Sequence, residues 1–180
     1  IRKDALLAAS RLVIAVNEVI NSLPGKQVGT VGKISSYPGA SNVIPGKVVM
    51  SLEIRDLSLE KVETLFAEVQ KRAREIASDS KTEISFQQQF VIKPALSNNL
   101  LKDKIDSSAK GLGFTTKFMQ SGAIHDSQNM SLIAPMAMIF VPSVGGISHS
   151  PNEFTNAVDM TNGANVLLQT ILSIDKQQKS

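Results

Sequence analysis

Ala9, Val13, Val16 and Ile20 are spaced four, three and four residues apart, which lays an apolar stripe along one face of a helix before Pro24-Gly25 stops it. The spacing predicts a helix over residues 4–20. From Gln27 the period falls from helical to two, and residues 28–34 and 47–55 read as strands. They are separated by the turn-forming Tyr37-Pro38-Gly39-Ala40-Ser41-Asn42 and by Pro45-Gly46. In the second strand Val48, Met50, Leu52 and Ile54 share one face, and Val49, Ser51, Glu53 and Arg55 the other.

Ser58 is placed to cap a second helix with Glu60 in its first turn, and Val62, Leu65, Phe66, Val69, Ala73 and Ile76 form its inward stripe. Ile84, Phe86, Gln88 and Phe90 then alternate, predicting a half-buried strand over 83–91 that ends at Lys93-Pro94. A boundary is expected near Pro94. Beyond it, residues 100–112 read as a helix stopped by Gly111 and Gly113. The run 136–141 reads as a strand buried on both faces. Met160, Ala164, Leu167, Ile171 and Ile174 mark a final helix. The order is thus αββαβ up to the boundary, followed by helices around at least one buried strand, an α/β arrangement. Ile1 stands at the start of the first helix with no initiator Met, which suggests further chain upstream.

Composition narrows the function classes. The 180 residues are 42% hydrophobic and 19% charged, an ordinary globular balance. Net charge is +3 with Lys and Arg interspersed among Asp and Glu, and aromatic content is 4% with no Trp. Neither a nucleic acid nor a membrane surface is expected as partner. Without Cys, disulfides, thiolate nucleophiles and cysteine-ligated zinc are excluded for these residues, so a metal would be held by His, Asp or Glu. The longest apolar run, 132–141, is interrupted by Pro135 and spans about half of the ~20 residues a membrane helix needs. A cytoplasmic protein is the expectation.

The two histidines, His125 and His149, both fall in loops, in Ser121-Gly122-Ala123-Ile124-His125-Asp126 and Val144-Gly145-Gly146-Ile147-Ser148-His149-Ser150-Pro151. Loop placement favours function, and imidazole ligates metals and moves protons near neutral pH. A solvated loop histidine is the plainer alternative for each. Asp126 beside His125 reads equally as a turn residue. Gly145-Gly146 lacks the spacing of a phosphate cradle, and Ser148 lacks a nucleophile elbow. Arg55 suits a carboxylate by its planar guanidinium, or an ordinary salt bridge with Glu53 or Asp56. Asn42 by itself reads as a turn residue.

Together, Ser121 to Asp126, the run Ala134-Pro135-Met136-Ala137-Met138-Ile139-Phe140-Val141-Pro142-Ser143, and Gly145-Gly146-Ile147-Ser148-His149-Ser150-Pro151 resemble the amidase, hydantoinase and carbamoylase branch of the dinuclear-metal aminoacylase-like peptidases. Arg2-Lys3-Asp4-Ala5-Leu6 and Ser41-Asn42-Val43-Ile44-Pro45-Gly46 extend the resemblance over nearly the whole chain. It implies a ferredoxin-like αββαβ lid and dimerisation part over 1–92, and the C-terminal part of an α/β metallopeptidase-like catalytic domain over 93–180. It also implies a homodimer formed through the lid and a small-molecule carboxylate substrate. By the same resemblance His149 matches a ligand to one of two Zn or Mn ions, and His125 a histidine that contacts substrate and stabilises the tetrahedral intermediate. Asn42 and Arg55 match groups that grip the substrate carboxylate across the dimer. Ile124 lies in the substrate-binding loop where the family usually has Gly, so a tighter approach is expected there.

The family's His-x-Asp segment, its Glu-Glu pair, its remaining metal-ligand His and its lid His have no counterpart among these residues. The resemblance implies hydrolysis of the carbamoyl C–N bond of N-carbamoyl-L-amino acids by metal-activated water, with this chain inactive on its own. Allantoate or ureidoglycolate amidohydrolysis shares the motifs. A non-catalytic dimerisation and binding module is the alternative from another class.

Overall fold

A computed structural model describes residues 3–178, which divide into two compact units, Ile1–Pro94 and Ala95–Ser180. In the first, helix α1 runs Ala5–Ser22 and begins where Asp4 accepts a hydrogen bond from the Leu7 amide. Such a cap satisfies one of the amide groups a helix start leaves unpaired. Helix α2, Leu59–Ser80, starts in the same way, with Ser58 accepting from the Lys61 amide, and ends at Lys81 in the left-handed conformation. These caps explain why both helices sit where the periodicity puts them.

The two helices lie against one another through their apolar stripes. Ala8, Leu12, Ala15, Val16, Val19 and Ile20 of α1 and Leu65, Val69, Ala73 and Ile76 of α2 form one buried cluster. Val69 is completely enclosed and Leu65 is 1% exposed. Each such side chain contributes roughly 1.5–3 kcal/mol by leaving water. By length and composition α1 is apolar enough to cross a membrane. Here one face of it is core. Its rim carries ion pairs to α2, Arg11 with Asp79 and Arg72 with Glu18.

The strands form one ribbon with a break in each side. Strands β1 (Val28–Thr30) and β4 (Glu53–Arg55) pair antiparallel, as do β2 (Ile34–Tyr37) and β3 (Lys47–Met50). The run expected as one strand over 28–34 is therefore two short strands reaching Tyr37, and the run 47–55 is interrupted at Ser51. There the Ser51 hydroxyl accepts from the Lys33 amide while the Ser51 amide donates to the Lys33 carbonyl, a local bridge between the two sides. The apolar face survives the break: Val31, Met50, Leu52 and Ile54 pack onto the helix cluster. Gly29 lets β1 approach α1, since a Cβ there would collide with the buried Ile20 side chain.

Residues 83–91 are not a strand. Ile84 reaches the helix cluster and Phe86 meets Phe66 edge-on at 5.4 Å, so the inward face of the predicted alternation is present. Its backbone pairs with no strand among the described residues, and Phe90, Val91 and Ile92 are exposed. Alternation supplies a face, but a strand also needs a neighbour.

In the second unit, helix α3 (Asn99–Gly111), capped by Asn98, packs on helix α5 (Ala157–Gln178). A single turn, α4 (Ser127–Met130), lies between them in sequence. The residues of α5 that become buried are Val166 and Thr170, whereas Met160, Leu167 and Ile171, whose spacing marks the helix, are exposed. That helix is apolar on more than one side, so periodicity alone could not choose the packed face. Residues 136–141 likewise form no strand. Met136 is buried and its carbonyl accepts from the Asn98 amide, whereas Phe140 is half exposed. Gly163 of α5 gives this segment room, because a Cβ at that position would meet Val141.

Replacing Leu65 with Ala should lower the unfolding free energy of the first unit by about 2–5 kcal/mol in a urea titration. Ile14→Ala on the exposed side of α1 should change it by less than about 0.5 kcal/mol. Gly29→Ala, which overpacks against Ile20, should cost about 1–3 kcal/mol in the same titration.

Candidate functional site

His125 is fixed at both its backbone and its ring. Its amide donates to Gln128 Oε1 at 3.0 Å, and the Gln128 amide donates back to the His125 carbonyl at 2.9 Å. This reciprocal clamp closes the turn that leads into α4. The ring Nε2 lies 2.6 Å from Ser121 Oγ, which also accepts from the Ala123 amide at 3.1 Å. Phe140 meets the imidazole edge-on, with centroids 5.9 Å apart and planes at 67°. Nδ1 has no hydrogen-bond partner among the described residues. Next to it in sequence, Ile124 is 55% exposed.

His149 follows the turn at Val144–Gly146, in which Gly145 and Gly146 take φ of 66° and 68°. Two successive positive φ values are readily adopted by Gly alone, so the glycine pair shapes the approach to the histidine. The His149 backbone is itself left-handed, with φ 56°, and its amide donates to Glu153 Oε2 at 2.8 Å. Glu153 holds that conformation in place. On the ring, Nδ1 faces Ser148 Oγ at 3.4 Å, and Nε2 carries no protein partner among the described residues. This arrangement fits a ligand that offers one ring nitrogen to an ion while the other is oriented from behind. No group of three or more His, Cys, Asp or Glu able to hold an ion occurs among the described residues.

Asn42 and Arg55 belong to the first unit. Asn42 is exposed in the connection from β2 to β3, where the Val43 amide returns to the Ala40 carbonyl. Arg55 ends β4, and its Nε donates to Glu53 Oε1 at 2.8 Å. That hydrogen bond lowers the Glu53 pKa and raises that of Arg55, against a smaller opposing effect of desolvation. The salt bridge with Glu53 is thus formed, and Asp56 pairs with Lys61.

The residues that sequence reasoning did not single out are Ser121, Gln128, Phe140 and Glu153, each of which orients a histidine. Ser121 and Glu153 stand four residues before and after the histidine they hold. No periodic signal marks such pairs, since both lie in irregular backbone.

Residues 5–173 match the model of peptidase family M20/M25/M40. The chain belongs to that family. Among its members, ureidoglycolate hydrolase of Arabidopsis thaliana is 40% identical over 181 residues, covering 97% of this chain and 37% of the relative. N-carbamoyl-L-amino acid amidohydrolase of Geobacillus stearothermophilus is 34% identical over 171 residues, covering 95% and 42%. A crystal structure of an amidase of the hydantoinase/carbamoylase family from Burkholderia multivorans superposes with a TM-score of 0.88 at 34% identity, over 96% of this chain and 42% of that one. The chain therefore spans about two-fifths of the length of these family members. The mixed helix-and-sheet architecture of this chain, consistent with the α/β arrangement expected from the sequence, is shared with that amidase.

A double-mutant cycle on Glu53 and Arg55 should give a coupling below about 1 kcal/mol, because both side chains are nearly half exposed. The Glu53 pKa is depressed on folding, so the coupling is present above the ordinary carboxylate range. It should vanish as pH falls through the folded-state pKa.

Proposed function

We propose that this chain supplies the lid and the closing part of the metal-binding domain of a hydrolase that cleaves the carbamoyl C–N bond of N-carbamoyl-L-amino acids. The observation that carries the reading is His125, a ring held from one side by Ser121 and Phe140 with its Nδ1 left open. Membership in the family, and likeness to carbamoyl-amino-acid and ureidoglycolate hydrolases, support the reaction class. These substrates have in common a ureido group on a carbon that also bears a carboxylate.

In this reading His149 is one ligand of a pair of Zn or Mn ions whose other ligands lie outside this chain. When bound, the ions supply a water of lowered pKa and polarise the scissile carbonyl. His125 donates a hydrogen bond to the oxygen that gains charge as the carbonyl carbon becomes tetrahedral. The loop at Ile124 lines the substrate, and its side chain narrows the space there. Asn42 and Arg55, from the lid of the second copy in a homodimer, hold the substrate carboxylate. A planar guanidinium matches the two oxygens of a carboxylate, which is why Arg55 suits this task.

A second reading is ureidoglycolate hydrolysis, favoured by the 40% identity with the Arabidopsis relative. Ammonia release by the full-length protein, loaded with Zn or Mn, separates the two. Turnover of N-carbamoyl-L-amino acids supports the first, turnover of ureidoglycolate alone supports the second, and no release from either substrate or allantoate rejects both. His125→Ala should lower kcat by about 10²–10³-fold. His149→Ala should reduce the ion content measured by elemental analysis, and the 180-residue chain alone should release no ammonia.

A further inference from the structure

Ser121 has no role in the chemistry described so far, yet its hydroxyl oxygen is 2.6 Å from His125 Nε2. A hydroxyl offers one proton and two lone pairs. The Ala123 amide, at 3.1 Å, takes one of the lone pairs. Two arrangements of the Ser121–His125 bond are then open for a neutral ring. If Nε2 carried the proton it would donate to the second lone pair, and the Ser121 proton would have no acceptor among the described residues. If Nε2 is bare, the Ser121 proton goes to it, and every polar atom of the pair on that side is satisfied. The second arrangement leaves fewer polar atoms of the pair without a partner, and is favoured for that reason.

We infer that Ser121 is a positioning residue that holds neutral His125 in the tautomer with its proton on Nδ1, so that Nδ1–H is the donor presented to the substrate oxygen. The inference rests on the reading that His125 touches substrate. The rest of the loop is built to the same end. Phe140 packs edge-on against the ring, and the Gln128 clamp fixes the backbone from which the ring projects. Which nitrogen of a histidine carries the proton is set by the hydrogen bond the other one makes.

NMR of the chain labelled with ¹⁵N-histidine reads the tautomer directly, with His125→Asn identifying the signals of His125. The expected spectrum shows Nδ1 protonated and Nε2 bare in the neutral ring. Ser121→Thr keeps a hydroxyl and should preserve that pattern. Ser121→Val, matched to Thr in shape but without the hydroxyl, should move the ring toward the Nε2–H form, with the His149 signals unchanged as a check on folding. In the full-length enzyme the same Val substitution should lower kcat about tenfold with KM little changed, and Thr should restore it. Protonation on Nε2 in the unsubstituted chain, or identical spectra for the Thr and Val variants, would overturn the inference. A tautomer that shifts in Ser121→Val while kcat and KM stay constant would uphold the role of Ser121 but remove His125 from the reaction.

Discussion

A helix satisfies its backbone from within, whereas an extended segment depends on a neighbouring strand, and that difference governs which parts of this chain take regular structure. The four long helices each carry their own hydrogen bonds, and at least three of them begin at a side-chain cap, Asp4, Ser58 or Asn98. They pack in pairs, α1 with α2 and α3 with α5. The two sides of the ribbon find partners in one another. Residues 83–91 and 136–141 have strand-like composition and inward-facing apolar side chains, yet no ladder forms along them among the described residues.

The candidate site is built on backbone that has no regular structure, and precision there comes from short-range pins. Each histidine has an amide held by a side-chain oxygen of a residue three or four positions on, Gln128 for His125 and Glu153 for His149. Each also has a serine hydroxyl beside its ring, close for His125 and longer for His149. Loops fixed in this way can present imidazole nitrogens without support from a sheet. The same logic explains the glycine pair at 145 and 146, which sets the direction of the chain before His149.

How much of this could be read from the sequence follows from the same distinction. Helix boundaries were legible because caps and stripes are local, and Ser58 with Leu65, Val69, Ala73 and Ile76 fell where the spacing put them. The packed face of α5 was not legible, since Val166 and Thr170 compete with an equally apolar side at Leu167 and Ile171. Strand formation at 83–91 and 136–141 was over-read because alternation and apolarity report burial, and pairing depends on residues distant in sequence. His125 and His149 stood out by residue type and loop context. Ser121 and Glu153 did not, because serine and glutamate are common and only the fold shows which ring or amide they meet.

The left-handed backbone at His149 narrows what evolution or an engineer can place there. Outside glycine, that conformation is adopted most readily by Asn, Asp and His, whose short or planar polar side chains tolerate it, while bulkier residues are strained. Of the side chains that offer a donor atom to divalent ions, His, Asp and Asn meet both demands, and Glu does not. With His149 in its proposed role as a ligand, a redesign that exchanges the nitrogen donor for an oxygen donor, to move the preference from softer toward harder ions, would therefore start from Asp or Asn at this position.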